Sequence, residues 1–412
     1  MISIRFNKYW LILVSIAFLF SILYILSVIF PGNISNEVYK YFSNIDIEKS
    51  KEYNKTISLL FISSFLVKLI FLLIFTFGNA SKELSNLTAK LSFKMYYLHI
   101  LLFFIGLWLI LKIISFPFSL YYYNFQVKWG FSTQTISSWW IDYLKNSLLD
   151  FIISGIGIFL FAYAVNKWHK SWWFMASIFL TFMLFLQNLI WPSFIAPMFN
   201  RFIPIKDPVV LNMVQDISKN AGININKVEE MDASRRTKLA NAYFYGFGKT
   251  SKIVLYDTLL ENYPKNEIKA VIAHEAAHWK ENHVLKGLVI GSIGLFAMFF
   301  LFSLILNKTI INPYNKAITP AGLAVLYLFI ILINFDTNPI QNYISRQMER
   351  QADLLSVQYL HNKEIVVELQ VDLAKKSLSD PEPPAFIEWF SYSHPSAMHR
   401  IKAVEACISN IH

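Results

Sequence analysis

Two histidines four residues apart, with a glutamate directly after the first, stand in the run Val271-Ile272-Ala273-His274-Glu275-Ala276-Ala277-His278-Trp279. On an α-helix, positions i and i+4 lie one above the other on the same face, so His274 and His278 can offer two imidazole nitrogens to one metal ion. Glu275 lies about 100° further round, within reach of a water beside that ion and badly placed to be a third ligand. Two His ligands, a carboxylate base and an open coordination position are the parts of a zinc hydrolase. The same letters also fit an ordinary helix that carries two His and a Glu, so the motif needs a third ligand and a setting.

The best third ligand lies in Ser345-Arg346-Gln347-Met348-Glu349-Arg350-Gln351-Ala352-Asp353. Glu349 and Asp353 share a helix face. Glu349 can bind the metal while Asp353 orients a ligating His through its other ring nitrogen. The competing reading is a solvated face on which Arg346 and Arg350 pair with the acids. A last constellation, Ser391-Tyr392-Ser393-His394-Pro395 with His399 and Arg400 following, holds a His and an Arg that can stabilise the oxyanion of a tetrahedral intermediate. Ordinary surface residues would look the same.

The elements that must position these groups are set by composition. The chain of 412 residues is 55% hydrophobic, 17% aromatic and only 16% charged, with a mean hydropathy of +0.42. Soluble domains carry about a quarter charged residues, so this is an integral membrane protein. Its net charge of +10 comes from Lys and Arg scattered between apolar blocks, which fits a membrane surface and not nucleic acid. One cysteine, Cys407, excludes an internal disulfide framework and a Cys-rich metal cluster.

Seven apolar stretches approach the ~20 residues that a spanning helix needs: 9–30, 57–77, 95–118, 147–164, 172–190, 287–306 and a shorter one at 321–335. The first is too long for a signal peptide and reads as a retained anchor. Lys68 lies within the second, and an ionisable group at that depth faces protein or a water-filled cavity unless it snorkels. The spans divide the chain into 1–196 (spans 1–5), a soluble α+β insert at 197–284, spans 6–7 at 285–338, and a helical segment at 339–412. Within the insert, 207–220 reads as an amphipathic helix. Residues 239–247 and 252–256 read as a β-hairpin around Gly248-Lys249-Thr250-Ser251. Two spans separate His278 from Glu349, an even number, so both emerge on the same side of the membrane. An odd count would have excluded Glu349.

These residues resemble the type I CAAX prenyl proteases, integral-membrane zinc metalloendopeptidases. The matching segments are Phe116-Pro117-Phe118-Ser119-Leu120, Gly130-Phe131-Ser132-Thr133-Gln134-Thr135, Ile195-Ala196-Pro197-Met198-Phe199-Asn200, Asp232-Ala233-Ser234 and Asn241-Ala242-Tyr243-Phe244. The H-E-x-x-H-W run, Ser345-Arg346 through Asp353, and Ser393-His394-Pro395 with Arg400 complete the set, in family order. The resemblance implies a mainly α polytopic fold, with seven transmembrane helices around an intramembrane chamber and a small α+β protease unit. It implies one Zn2+ per chain held by His274, His278 and Glu349, Glu275 as catalytic base, and Asp353 behind the ligands. Asn241-Ala242 would belong to an edge strand that aligns the substrate, and His394 and Arg400 would contact the substrate or its oxyanion. The implied partners are the bilayer and peptide or protein substrates, lipidated ones included, with the active site facing the cytoplasm.

The sequence departs from relatives in reading His-Glu-Ala-Ala-His where Leu-Gly is common in the middle, and it ends at Ile411-His412 without an endoplasmic-reticulum retrieval signal. Abundant Ile, Asn, Lys and Phe fit an AT-rich, bacterial type of genome. A bacterial chain would sit in the inner membrane, a eukaryotic one in the endoplasmic reticulum. Two other readings stand beside this one. A membrane-protein quality-control zinc protease keeps the chemistry without the prenyl preference. A transporter or channel accounts for the spans and Lys68 but leaves the zinc constellation unexplained.

Overall fold

The computed structural model describes residues 3–246, 251–311 and 318–407. The hairpin residues Gly248, Lys249 and Thr250 and the terminal Ile411-His412 lie outside that set. Helix α1 (Lys8–Ile29) starts where the Asn7 side chain accepts the Tyr9 N–H. Helix α2 (Asn44–Phe77) opens with a capping box between Ser43 and Asp46, which extends it well before its apolar stretch. After the short α3 (Ala80–Leu91) come α4 (Tyr96–Lys128), α5 (Ile136–Lys167) and α6 (Trp172–Ile190). Bulky apolar groups on these helices face outward, Ile113 at 70% exposure among them, as lipid contact requires.

The insert then folds as a four-stranded sheet with helices. Strand β1 (Phe202–Pro204) precedes α7 (Pro208–Ala221), followed by β2 (Lys227–Met231), β3 (Ala242–Tyr245), β4 (Lys252–Tyr256), α8 (Asp257–Asn262) and α9 (Lys265–Lys280). Helix α7 starts with an Asp207 cap and Pro208, and stops at Gly222, whose φ of +62° suits glycine. It buries Val210, Val214 and Ile217 against α9. The sheet order is β1-β2-β4-β3, with β2 and β4 parallel and the other pairs antiparallel. The expected β3–β4 hairpin pairing is present, though β3 is shorter than 239–247. Strands β1 and β2 were not expected. Pro204 and the charged Glu229 and Glu230 hide the strand signal, because Glu229 is satisfied across the sheet by Lys252 at 3.0 Å and the Tyr245 hydroxyl at 3.1 Å.

Helix α10 (His283–Thr309) spans, and α11 (Gly322–Asp336) joins α12 (Asn338–Leu360) at a 48° bend. Among the described residues six helices are long and apolar enough to cross a membrane, and the bent pair makes a seventh if taken together. That matches the short seventh span continued by a polar helix. The chain ends in α13 (Lys363–Ser377), α14 (Ala385–Ser391) and α15 (Ala397–Ala406). The segments 197–284 and 339–412 contribute to one hydrophobic cluster. Ala352, Tyr359 and Leu369 pack with Ile217, Ile253 and Ile272, because the apolar face of α12 is covered by α9 and α7.

Between α2, α4, α5, the free edge of β3 and α9 lies a chamber of 1750 Å³. Its wall includes Lys68, Lys112 and Ser115, so Lys68 faces the cavity. Lys112 pairs with Asp150 at 2.8 Å. Among the described residues Lys68 makes no ion pair.

Candidate metal centre

The local sequence makes α9 a good helix: Ile268, Ala270, Ile272, Ala273, Ala276 and Ala277 are buried, small or apolar, and leave the histidine face turned to the chamber. His274 and His278 Nε2 lie 3.1 Å apart. From α12, Glu349 brings Oε2 to 3.2 Å from His274 Nε2 and Oε1 to 3.4 Å from His278 Nε2. The three ligand atoms all lie within 4.8 Å of one another. Ligands about 2.0–2.1 Å from a tetrahedral zinc stand about 3.3 Å apart, so the spacing fits that ion. Glu349 Oε2 is buried and has no hydrogen-bond partner among the described residues, as expected for an oxygen reserved for a cation. Burial would raise the Glu349 pKa, but the two imidazoles pull it well below the usual carboxylate range, so it is an anionic donor.

Glu275 follows His274 round the helix and also lines the chamber. Burial pushes its pKa up, opposed by His274 and His278, which makes the carboxylate a stronger base than a solvated one. Asp353 is 1% exposed. Its Oδ1 lies 3.0 Å from His274 Nδ1, near but off the line of a good hydrogen bond. Arg400 grips the same carboxylate with two contacts, Nε to Oδ2 at 2.8 Å and Nη2 to Oδ1 at 2.5 Å. Burial opposes the Asp353 charge, yet Arg400 and His274 lower its pKa to about 2.

The sequence-derived residues are thus brought together with one change of place. His394 lines the chamber, with Nε2 3.4 Å from Glu349 Oε1 and Nδ1 3.0 Å from Ser393 Oγ. Arg400 is directed at Asp353, behind His274, and not into the chamber lining. Asn241 and Ala242 lie at the start of the edge strand β3. The Asn241 carbonyl accepts from Tyr256 N–H at 3.1 Å, so by strand alternation the main chain of Ala242 and Phe244 faces the open side. The Asn241 side chain meanwhile accepts the Ala242 N–H at 2.8 Å.

Several residues support the site in ways that their sequence context does not signal. Arg346 Nη1 donates to the carbonyls of Glu388 at 2.9 Å and Tyr392 at 2.6 Å. Glu388 accepts from Ser396 N–H at 2.9 Å and contacts His399 Nδ1 at 2.8 Å. Together they clamp the turn that presents His394. His283 lies against His278, their Nδ1 atoms 2.9 Å apart. A spacing of five residues across a helix end matches no helical face.

Comparison with known proteins agrees with this geometry. A model described as "Peptidase family M48" matches residues 204–408, and one described as "CAAX prenyl protease N-terminal, five membrane helices" matches residues 31–201. A protein of Arabidopsis thaliana named "CAAX prenyl protease 1 homolog" is 31% identical over 317 residues, covering 75% of this chain and 74% of that protein. A Bacillus subtilis protein named "Uncharacterized metalloprotease YhfN" is 29% identical over 306 residues, covering 72% of this chain and 71% of that one. The crystal structure of S. mikatae Ste24p aligns with a TM-score of 0.84 at 25% identity, covering 97% of this chain and 99% of that chain.

Proposed function

The chain belongs to peptidase family M48 and is a multi-pass membrane metalloendopeptidase; from that premise we propose that it hydrolyses peptide bonds with one zinc ion, on CAAX-type substrates. The observation that carries the reading is the convergence of His274, His278 and Glu349 to 3.1–3.4 Å beside Glu275, on the wall of the chamber. His274, His278 and Glu349 would hold the zinc, which when bound supplies Lewis acidity to the scissile carbonyl and lowers the pKa of an attacking water.

The chain's own groups do the rest. Glu275 takes a proton from the attacking water on its carboxylate and delivers it to the leaving amine. Ala242 and Phe244 offer main-chain donors and acceptors to an extended peptide, which fixes the bond presented to Glu275. The side chain of Asn241 yields the Ala242 N–H when the substrate strand arrives. His394 donates to the developing oxyanion, while Arg400 acts on Asp353 and through it on His274. A chamber of this size, whose wall includes Leu60, Phe61, Phe65 and Phe118, has room for a lipid tail beside the edge strand. The active site is read as facing the cytoplasm. A second reading, quality-control proteolysis without prenyl preference, keeps the same chemistry, and the Bacillus subtilis relative is named a metalloprotease with no CAAX substrate in its name.

The test is Glu275→Gln in the purified, detergent-solubilised chain. The variant should keep its zinc and its elution profile, and lose about 10²–10⁴-fold in cleavage of a farnesylated CAAX peptide. Chelator-sensitive cleavage at the parent rate would reject the assignment. Equal rates on prenylated and unprenylated peptides would favour the quality-control reading.

A further inference from the structure

Helix α9 ends at Lys280, and Asn282 turns the chain with a φ of +55°, a conformation Asn tolerates better than most residues. The turn swings His283, 5% exposed, back against the preceding helix. There a chain of contacts runs outward from the second histidine of the motif. His278 Nδ1 meets His283 Nδ1 at 2.9 Å, His283 Nε2 meets Gln351 Oε1 at 3.1 Å, and Gln351 Nε2 donates to Glu281 Oε2 at 2.7 Å.

Donor and acceptor roles along this chain can be assigned from its outer end. The Glu281 carboxylate only accepts, so the Gln351 amide must turn its NH2 outward and its oxygen inward. An inward oxygen only accepts, so His283 carries its proton on Nε2. In a neutral imidazole that leaves a lone pair on His283 Nδ1, which can only accept, so His278 must carry its proton on Nδ1. The His278 Nε2 lone pair is then free, and it points at His274 Nε2 and Glu349. Each link permits one direction.

We infer that His283, with Gln351 and Glu281 behind it, is a positioning relay that sets the His278 tautomer for metal ligation. This rests on the zinc reading above and extends it. His274 has a carboxylate behind it; His278 has this neutral chain in the same place, and ring nitrogens behind metal ligands govern both tautomer and ligand basicity. His283 touches neither substrate nor metal position and acts through His278.

The experiment measures zinc dissociation constants of the full-length chain by chelator competition, alongside the thermal midpoint of the zinc-free protein. His283→Leu removes the acceptor and should weaken zinc about 10–100-fold, with the zinc-free midpoint little changed. His283→Asn places Oδ1 where Nδ1 stood and should recover most of that loss. Gln351→Leu, which removes no ligand, should lower affinity in the same direction and by less. Affinity within twofold of the parent for His283→Leu overturns the inference, as does an Asn variant as weak as the Leu variant. If His283→Leu fails to fold, Gln351→Leu decides: unchanged affinity overturns the relay. A parent chain that takes up no zinc overturns the proposed function itself, and is thereby distinguished from failure of the relay alone.

Discussion

The two histidines of the motif sit one helical turn apart and are supported by unlike means. Behind His274 stands a buried ion pair, Asp353 with Arg400, contributed by α12 and α15. Behind His278 stands a neutral chain through His283 and Gln351 that reaches a carboxylate 28% exposed at its outer end. A buried ion pair recovers its desolvation cost only when both partners are present. The His274 side therefore ties metal binding to the integrity of the fold. The His278 side carries little folding energy and acts through hydrogen-bond direction alone. One centre thus has a half that is expensive to disturb and a half that is cheap to disturb but sets the proton inventory.

The contrast can be broken most severely at Asp353. Asp353→Leu leaves the Arg400 guanidinium buried without its partner and should cost about 3–5 kcal/mol of folding stability, read as a lowered thermal midpoint of the zinc-free chain. Adding Arg400→Leu should recover much of that loss. A double variant weaker than the single one would show that the pair is not the unit described. Gln351→Leu, on the other half, should stay within about 0.5 kcal/mol of the parent.

A smaller effect sharpens the same difference through pH. The Asp353 pKa is lowered from 3.8 to about 2 in the folded chain. A depressed acid contributes stability that is present above its unfolded pKa and lost as pH falls through the folded one. For Asp353 the window runs from about pH 4 down to about pH 2, and the contribution is roughly 2 kcal/mol. Midpoints of the zinc-free protein measured across that window should fall more steeply for the parent than for Asp353→Asn. Parallel curves would contradict the charged role of this half.

The smallest change is expected at the far end of the relay. Glu281→Gln removes the group that orients the Gln351 amide, at a partly exposed position where such contacts are worth about 0.2–1 kcal/mol. Zinc affinity should fall by less than about fivefold. A loss as large as that of His283→Leu would mean that Glu281 supports the centre in some other way.

Much of the centre is legible in the sequence. The i, i+4 spacing of His274 and His278 follows from helical period, which is local. The even number of spans between His278 and Glu349 allowed that ligand, and the two meet at 3.4 Å. Arg400 could not be placed in this way, because a guanidinium suits an oxyanion and a carboxylate equally well. Only the packing of α15 against α12 aims it at Asp353. Strands β1 and β2 were hidden for a related reason: the polar groups of β2 are answered by residues of β3 and β4.

By itself, then, the order of residues determined the helical metal motif, the membrane-spanning segments and the side on which the third ligand emerges. Each depends on spacing and hydropathy along one stretch of chain. The tertiary structure decided what stands behind each ligand, where Arg400 points and that Lys68 faces a chamber. Those depend on which distant segment meets a given donor or acceptor. His283 shows the division most plainly: its partner is five residues away, yet the contact exists only because Asn282 reverses the chain and Gln351 arrives from another helix to receive its other nitrogen.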